Sequence, residues 1–164
     1  MSIWRTKDKV EVESVAPDFT LPSQAGEMVS LKDFIGTKPV VLFFYPKDDT
    51  PGCTKQACAF RHDYKEFGKL DAEVIGISSD SVDSHRRFAS KHDLPFTLLS
   101  DEGGEVRKLY GVQNSFGLFP GRVTYVIDEE GMVRHIFSSQ LGVERHVEEA
   151  IEALRRDDRL LKRP

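Results

Sequence analysis

Pro39-Val-Val-Leu-Phe-Phe-Tyr-Pro-Lys-Asp-Asp-Thr-Pro-Gly-Cys-Thr-Lys-Gln-Ala-Cys58 opens as an apolar run and continues into a helical pattern. Val40–Tyr45 has the length and unbroken apolar, β-branched and aromatic character of a strand buried on both faces. Pro46 cannot donate to a ladder, so pairing stops there, and Pro51-Gly52 forms a tight approach to a helix. Beyond it Ala57, Phe60, Tyr64 and Phe67 recur on one helical face, with Gly68 placed to end the helix. A fully buried strand needs neighbours on both edges and helices over both faces. The rest of the chain supplies them.

Working outward, Glu73–Ser78, Phe96–Leu99 and Val123–Ile127 are further short apolar runs. Asp128-Glu-Glu-Gly131 is a turn signal, so Val123–Ile127 and Met132–Phe137 form a hairpin. Ser81–His92 reads as a helix with Ser81 as N-cap and Pro95 just past its end. Glu105–Tyr110 is a short helix stopped by Gly111, and Val143, Val147, Ala150, Ile151 and Leu154 make the stripe of a closing one, before a charged tail, Arg155–Pro164. The order β-α-β-α-β-β-α predicts an α/β protein with a central mixed sheet flanked by helices, as a thioredoxin-like fold requires. Ala16–Pro22 and Glu27–Leu31 add an N-terminal β-hairpin, and the short helix is an insertion. Residues 1–164 read as a single domain, with 1–15 and 157–164 peripheral.

Composition removes several classes of function. A formal net charge of −4 with no dense basic run argues against nucleic-acid binding. No apolar stretch approaches the ~18 residues that span a bilayer, and the N-terminus lacks a secretory h-region. The expected compartment is cytoplasmic, or an organelle interior if a transit peptide has been removed. Two cysteines, Cys53 and Cys58, are too few for a disulfide scaffold or a four-cysteine zinc module. Their composition alone leaves structural thiols, a redox pair or a mixed metal site open. His62 and Glu66, spaced i, i+4, are an exposed pair without further ligands. Ser78, Asp80 and His85 are hydrolase residue types without a nucleophile-elbow motif, and Gly103-Gly104 lacks the rest of a phosphate loop. Lys47, Asp48 and Asp49 read as solvated loop charges.

Cys53 stands out by position. It lies in the first helical turn after the strongest strand, where unpaired N–H groups and the helix dipole favour an anion. Thr50, three residues earlier, offers a hydroxyl to a thiolate or to an incoming oxygen.

Pro46-x-x-x-Thr50-x-x-Cys53 resembles the peroxiredoxin active-site pattern, and Phe44–Cys58 as a whole is similar to the bacterioferritin comigratory protein and peroxiredoxin Q subfamily. The likeness extends through Ala16-Pro-Asp-Phe19, Leu98-Leu-Ser-Asp101 and Gly121–Asp128, while Phe116–Arg122 is closer to plant and cyanobacterial sequences than to many enterobacterial ones. The resemblance implies a thiol-dependent peroxidase of the atypical 2-Cys type, reducing hydrogen peroxide and alkyl hydroperoxides. By it, Cys53 is the peroxidatic cysteine, Cys58 the resolving cysteine and disulfide partner, and Pro46, Thr50 and Arg122 complete the site. It also implies thioredoxin or a glutaredoxin as reductant, no metal, haem or flavin, and a monomer. A thiol–disulfide oxidoreductase is the rival enzyme, lacking here its usual C-x-x-C spacing. A non-catalytic redox sensor is the other.

Overall fold

In the computed structural model, which describes residues 10–112 and 121–161 (side chains to 157), Val40–Phe44 (β3) is the middle strand of a five-stranded sheet. Glu73–Ser78 (β4) and Thr97–Ser100 (β5) extend it in parallel on one side; Val123–Ile127 (β6) and Val133–Ser138 (β7) extend it antiparallel on the other. The order β5-β4-β3-β6-β7 is the expected mixed sheet. Two strands, Thr20–Pro22 (β1) and Met28–Ser30 (β2), form the N-terminal hairpin. It covers the free edge of β5: Gln24 donates its side-chain amide to the Phe96 carbonyl and accepts from the Leu98 N–H.

Alternation along β3 divides the core. Val41 and Phe43 face Pro51–His62 (α1), Tyr64–Lys69 (α2), Val82–Lys91 (α3) and Glu144–Leu161 (α5). Val40, Leu42 and Phe44 face Glu105–Tyr110 (α4) and the N-terminal hairpin. Under α1 the Phe43 and Phe60 rings stack with centroids 4.4 Å apart. Gly76 on β4 makes room for this: a Cβ there would lie 2.7 Å from the Phe43 ring. No helix among the described residues is long and apolar enough to cross a membrane.

Three local expectations change. The helix after Cys53 is not continuous to Gly68. Asp63, with φ −100° and ψ 17°, ends α1 and starts α2, as a side chain that competes poorly in helix interiors but suits their ends. Gly68 lies within α2, and the left-handed position that follows is Asp71 at φ 58°. His62 and Glu66 therefore do not share one helix, and Glu66 pairs with Lys69 and Arg155 instead. Glu13 N–H donates to the Val133 carbonyl and Val133 N–H to Ser14, while α5 runs on through Leu161.

His146 joins α5 to the sheet. Its Nδ1 accepts from the Thr124 hydroxyl at 2.8 Å and its Nε2–H donates to the Ser139 carbonyl at 2.8 Å. Burial first, then the nearby Arg122 and Arg145 charges, push its pKa down to about 4. The unfolded chain takes up this proton near pH 6.5 and the folded one only near 4, so stability falls as pH drops through that window. The loss amounts to about 3 kcal/mol. Urea midpoints of the wild type should fall faster between pH 6.5 and 4 than those of His146→Gln; parallel profiles would exclude this role.

Candidate active site

Cys53 sits in the first turn of α1, 1% exposed, with Thr50 as N-cap residue and Pro51 at the first helical position. It lies at the carboxyl end of β3, where open α/β sheets gather their sites. Arg122, just before β6 and 6% exposed, directs Nη1 to Cys53 Sγ at 3.5 Å and donates to Gln56 Oε1 at 2.5 Å. A guanidinium keeps its charge under burial and offers donors in a fixed fork, so it can hold a thiolate and an oxygen together. The approach is tight. A Cβ on Gly52 would stand 3.2 Å from Arg122 Nη2.

Of the other residues singled out, Pro46 is half-buried in the β3–α1 loop. The Thr50 hydroxyl donates to the Lys47 carbonyl at 3.0 Å, not to Cys53, which leaves its oxygen lone pairs for a proton on an incoming molecule. Cys58 lies on the same helix as Cys53, half-buried, and both are free thiols.

Asp48 corrects the reading of this loop as solvated charge. It is 6% exposed and accepts from the Tyr45 hydroxyl at 2.6 Å, the Ser84 hydroxyl at 2.8 Å and His85 Nδ1 at 2.7 Å. His85 Nε2 donates to the Leu99 carbonyl, and Asp48 N–H donates to Asp80. Tyr45, buried against this carboxylate, has its pKa raised well above the ordinary value, chiefly by desolvation. Asp48, Asp80 and His85 bring ligand-type atoms within 4.8 Å of one another, yet each is already engaged in this network. Asp49 is exposed and bonds Lys91. One loop is thus pinned to α3 at two successive residues.

Gln56 is a site residue that the reading for chemistry passed over. It is fully buried at i+3 from Cys53, the one available signal, and its Nε2 and Arg122 Nε have no partner among the described residues. Of the segment Phe116–Arg122, whose sequence is closer to plant and cyanobacterial ones, Phe116–Pro120 lies outside the described residues.

The sequence profile of the AhpC/TSA family matches residues 12–136. Peroxiredoxin Q, chloroplastic, of Triticum aestivum is 56% identical over 147 residues, covering 89% of this chain and 67% of that protein. The protein of the same name from Arabidopsis thaliana is 57% identical over 148 residues, covering 90% and 68%. The chain belongs to the AhpC/TSA family.

Among solved structures, the peroxidoxin BcpB of Mycobacterium tuberculosis is similar with a TM-score of 0.83 and 38% identity, covering 90% of this chain and 97% of that one. A bacterioferritin comigratory protein of Xanthomonas campestris, described for its alkyl peroxide reduction activity, gives 0.80 and 30%, covering 91% and 98%. The fold is therefore the thioredoxin-type fold of the peroxiredoxins, and the chain is a thiol-dependent peroxidase of the peroxiredoxin Q type. Enzymes of this kind act on hydroperoxides with thioredoxin-type dithiol reductants.

Proposed function

We propose that Cys53 is the peroxidatic nucleophile and Cys58 its resolving partner, with Pro46, Thr50 and Arg122 shaping the oxygen pocket. The contact of Arg122 Nη1 with Cys53 Sγ at 3.5 Å, at a buried helix start, carries this reading. The Cys53 thiolate attacks the terminal oxygen of a hydroperoxide in line. An S–O bond forms, the O–O bond breaks, and the alkoxide or hydroxide leaves with a proton as alcohol or water. Arg122 gains most as charge moves to the leaving oxygen, which makes its interaction catalytic rather than merely binding. The Cys58 thiol then attacks the sulfenic sulfur, forming the disulfide and releasing water. An external dithiol returns both residues to thiols, so electrons come from sulfur throughout and no resident metal or cofactor is required.

Thioredoxin, with glutaredoxin as second choice, is the reductant this reading favours, and a monomer is its working unit. A reducing interior, cytoplasmic or chloroplastic as the plant relatives' names give, would supply such a dithiol. The test is peroxide loss followed with a thioredoxin system, a glutaredoxin system and neither, beside insulin reduction. Turnover of peroxide that depends on a dithiol protein is expected. Insulin reduction without peroxide turnover would assign the chain to thiol–disulfide exchange instead.

A further inference from the structure

Arg107 is a second buried guanidinium near Cys53, and nothing in the cycle above uses it. It rises from α4, 8% exposed, with Cζ 5.8 Å from the centroid of the Phe44 ring. Its root is fixed, because the Asp101 carboxylate accepts the backbone N–H groups of both Val106 and Arg107, at 3.1 and 3.0 Å. Its head meets two main-chain carbonyls. Nη2 donates to Tyr45 O at 3.0 Å and Nη1 to Gly121 O at 3.2 Å. Those carbonyls belong to the residues immediately before Pro46 and Arg122, on segments that approach the site from β3 and towards β6.

Resting on the reading that Arg122 polarises the peroxide, we propose that Arg107 is a positioning residue, a clamp that sets the Pro46 loop and the Arg122 backbone at one fixed spacing around Cys53. Burying a full charge against neutral carbonyls is costly, and a neutral side chain of similar volume would fill this part of the core without that cost. Desolvation lowers the Arg107 pKa, and it is opposed first by Asp101 and then by Cys53. The fork is the useful feature. A planar guanidinium reaches two acceptors in fixed directions, whereas a lysine ammonium offers one point charge on a flexible stem. Losing the fork frees the two segments to drift, and small misplacements of polarising groups cost up to roughly 10²-fold in rate.

The experiment measures the single-turnover rate of Cys53 oxidation by hydrogen peroxide, and of Cys53 alkylation by iodoacetamide, in Arg107→Lys. Peroxide reactivity should fall by roughly 10- to 100-fold, while alkylation, which needs no polarised O–O bond, should change little. Arg122→Lys and the double variant Arg107→Lys/Arg122→Lys complete a cycle. If Arg107 acts through Arg122, the double variant should react at nearly the rate of Arg122→Lys alone. Multiplying losses, or equal losses towards both reagents, would overturn the clamp. A loss in Arg122→Lys with none in Arg107→Lys would overturn it too while leaving the site's assignment intact; no loss in Arg122→Lys would overturn both. Should Arg107→Lys fail to fold, Arg107→Gln, which keeps a short planar donor without the charge, is read in the same way.

Discussion

Cys53→Ser is expected to lose essentially all peroxidase turnover, while Cys58→Ser consumes about one equivalent of peroxide and then stops. The asymmetry follows from the geometry. Only Cys53 combines near-complete burial, a place in the first turn of α1 and an Arg122 contact at 3.5 Å. Cys58 is half-buried, five residues further along the helix, with no charged partner among the described residues. A serine hydroxyl at position 53 keeps the shape but not the acidity, so no nucleophile forms near neutral pH. In Cys58→Ser the first step is untouched and sulfenic acid accumulates, since nothing within the chain condenses with it. Trapping with a sulfenic-acid reagent and counting peroxide per protein in single turnover distinguishes the two variants. Full catalytic turnover by Cys53→Ser would overturn the assignment, and multiple turnovers by Cys58→Ser with thioredoxin alone would remove Cys58 from the cycle.

What could be read in the chain was what local physics decides. Glu73–Ser78, Val123–Ile127 and Glu105–Tyr110 have the expected bounds because apolar runs, turns and glycine stops act within a few residues of themselves. The Ser81 cap is of the same kind, its hydroxyl accepting from Ser84 N–H. The α1–α2 break at Asp63 escaped because the apolar stripe continues through it, Phe60 and Phe67 packing at 5.7 Å across the interruption. Asp48 and Arg107 escaped for a different reason. A carboxylate between Lys47 and Asp49 reads as solvated until α3, 36 and 37 residues later, delivers Ser84 and His85 to it. Arg107 finds its acceptor 62 residues back, at Tyr45. Such partners are set by tertiary topology and leave no periodic trace, so motif positions are legible and the groups that hold them are not. Thr50 shows the limit within a motif: its position is as expected, and its proton goes to Lys47.

Forming the Cys53–Cys58 disulfide should unwind the start of α1. Both cysteines lie on this one helix, Pro51–His62, as free thiols. Five residues of regular helix give about 7.5 Å of rise and roughly 140° of rotation, a Cα separation of about 8.7 Å on a radius of ~2.3 Å. A disulfide tolerates up to about 7 Å between Cα atoms, so the folded helix and the bond exclude each other. The opening must also extract buried surface, since Gln56, Ala57 and Phe60 line the inner face of the helix and Phe60 stacks on Phe43. It breaks surface ties as well, Lys55 to Glu144 and Arg61 to the His92 carbonyl. The preceding loop, by contrast, is held to α3 through Asp48 and Asp49. Motion should therefore be confined to the segment after Cys53 and leave the loop in place. Amides from Thr54 to Arg61 should exchange much faster in the disulfide form than in the reduced form, while the Val40–Phe44 amides exchange alike in both. Equal protection of Thr54–Arg61 in the two states would mean that these cysteines do not pair within one chain, and the resolving thiol would then have to come from another molecule.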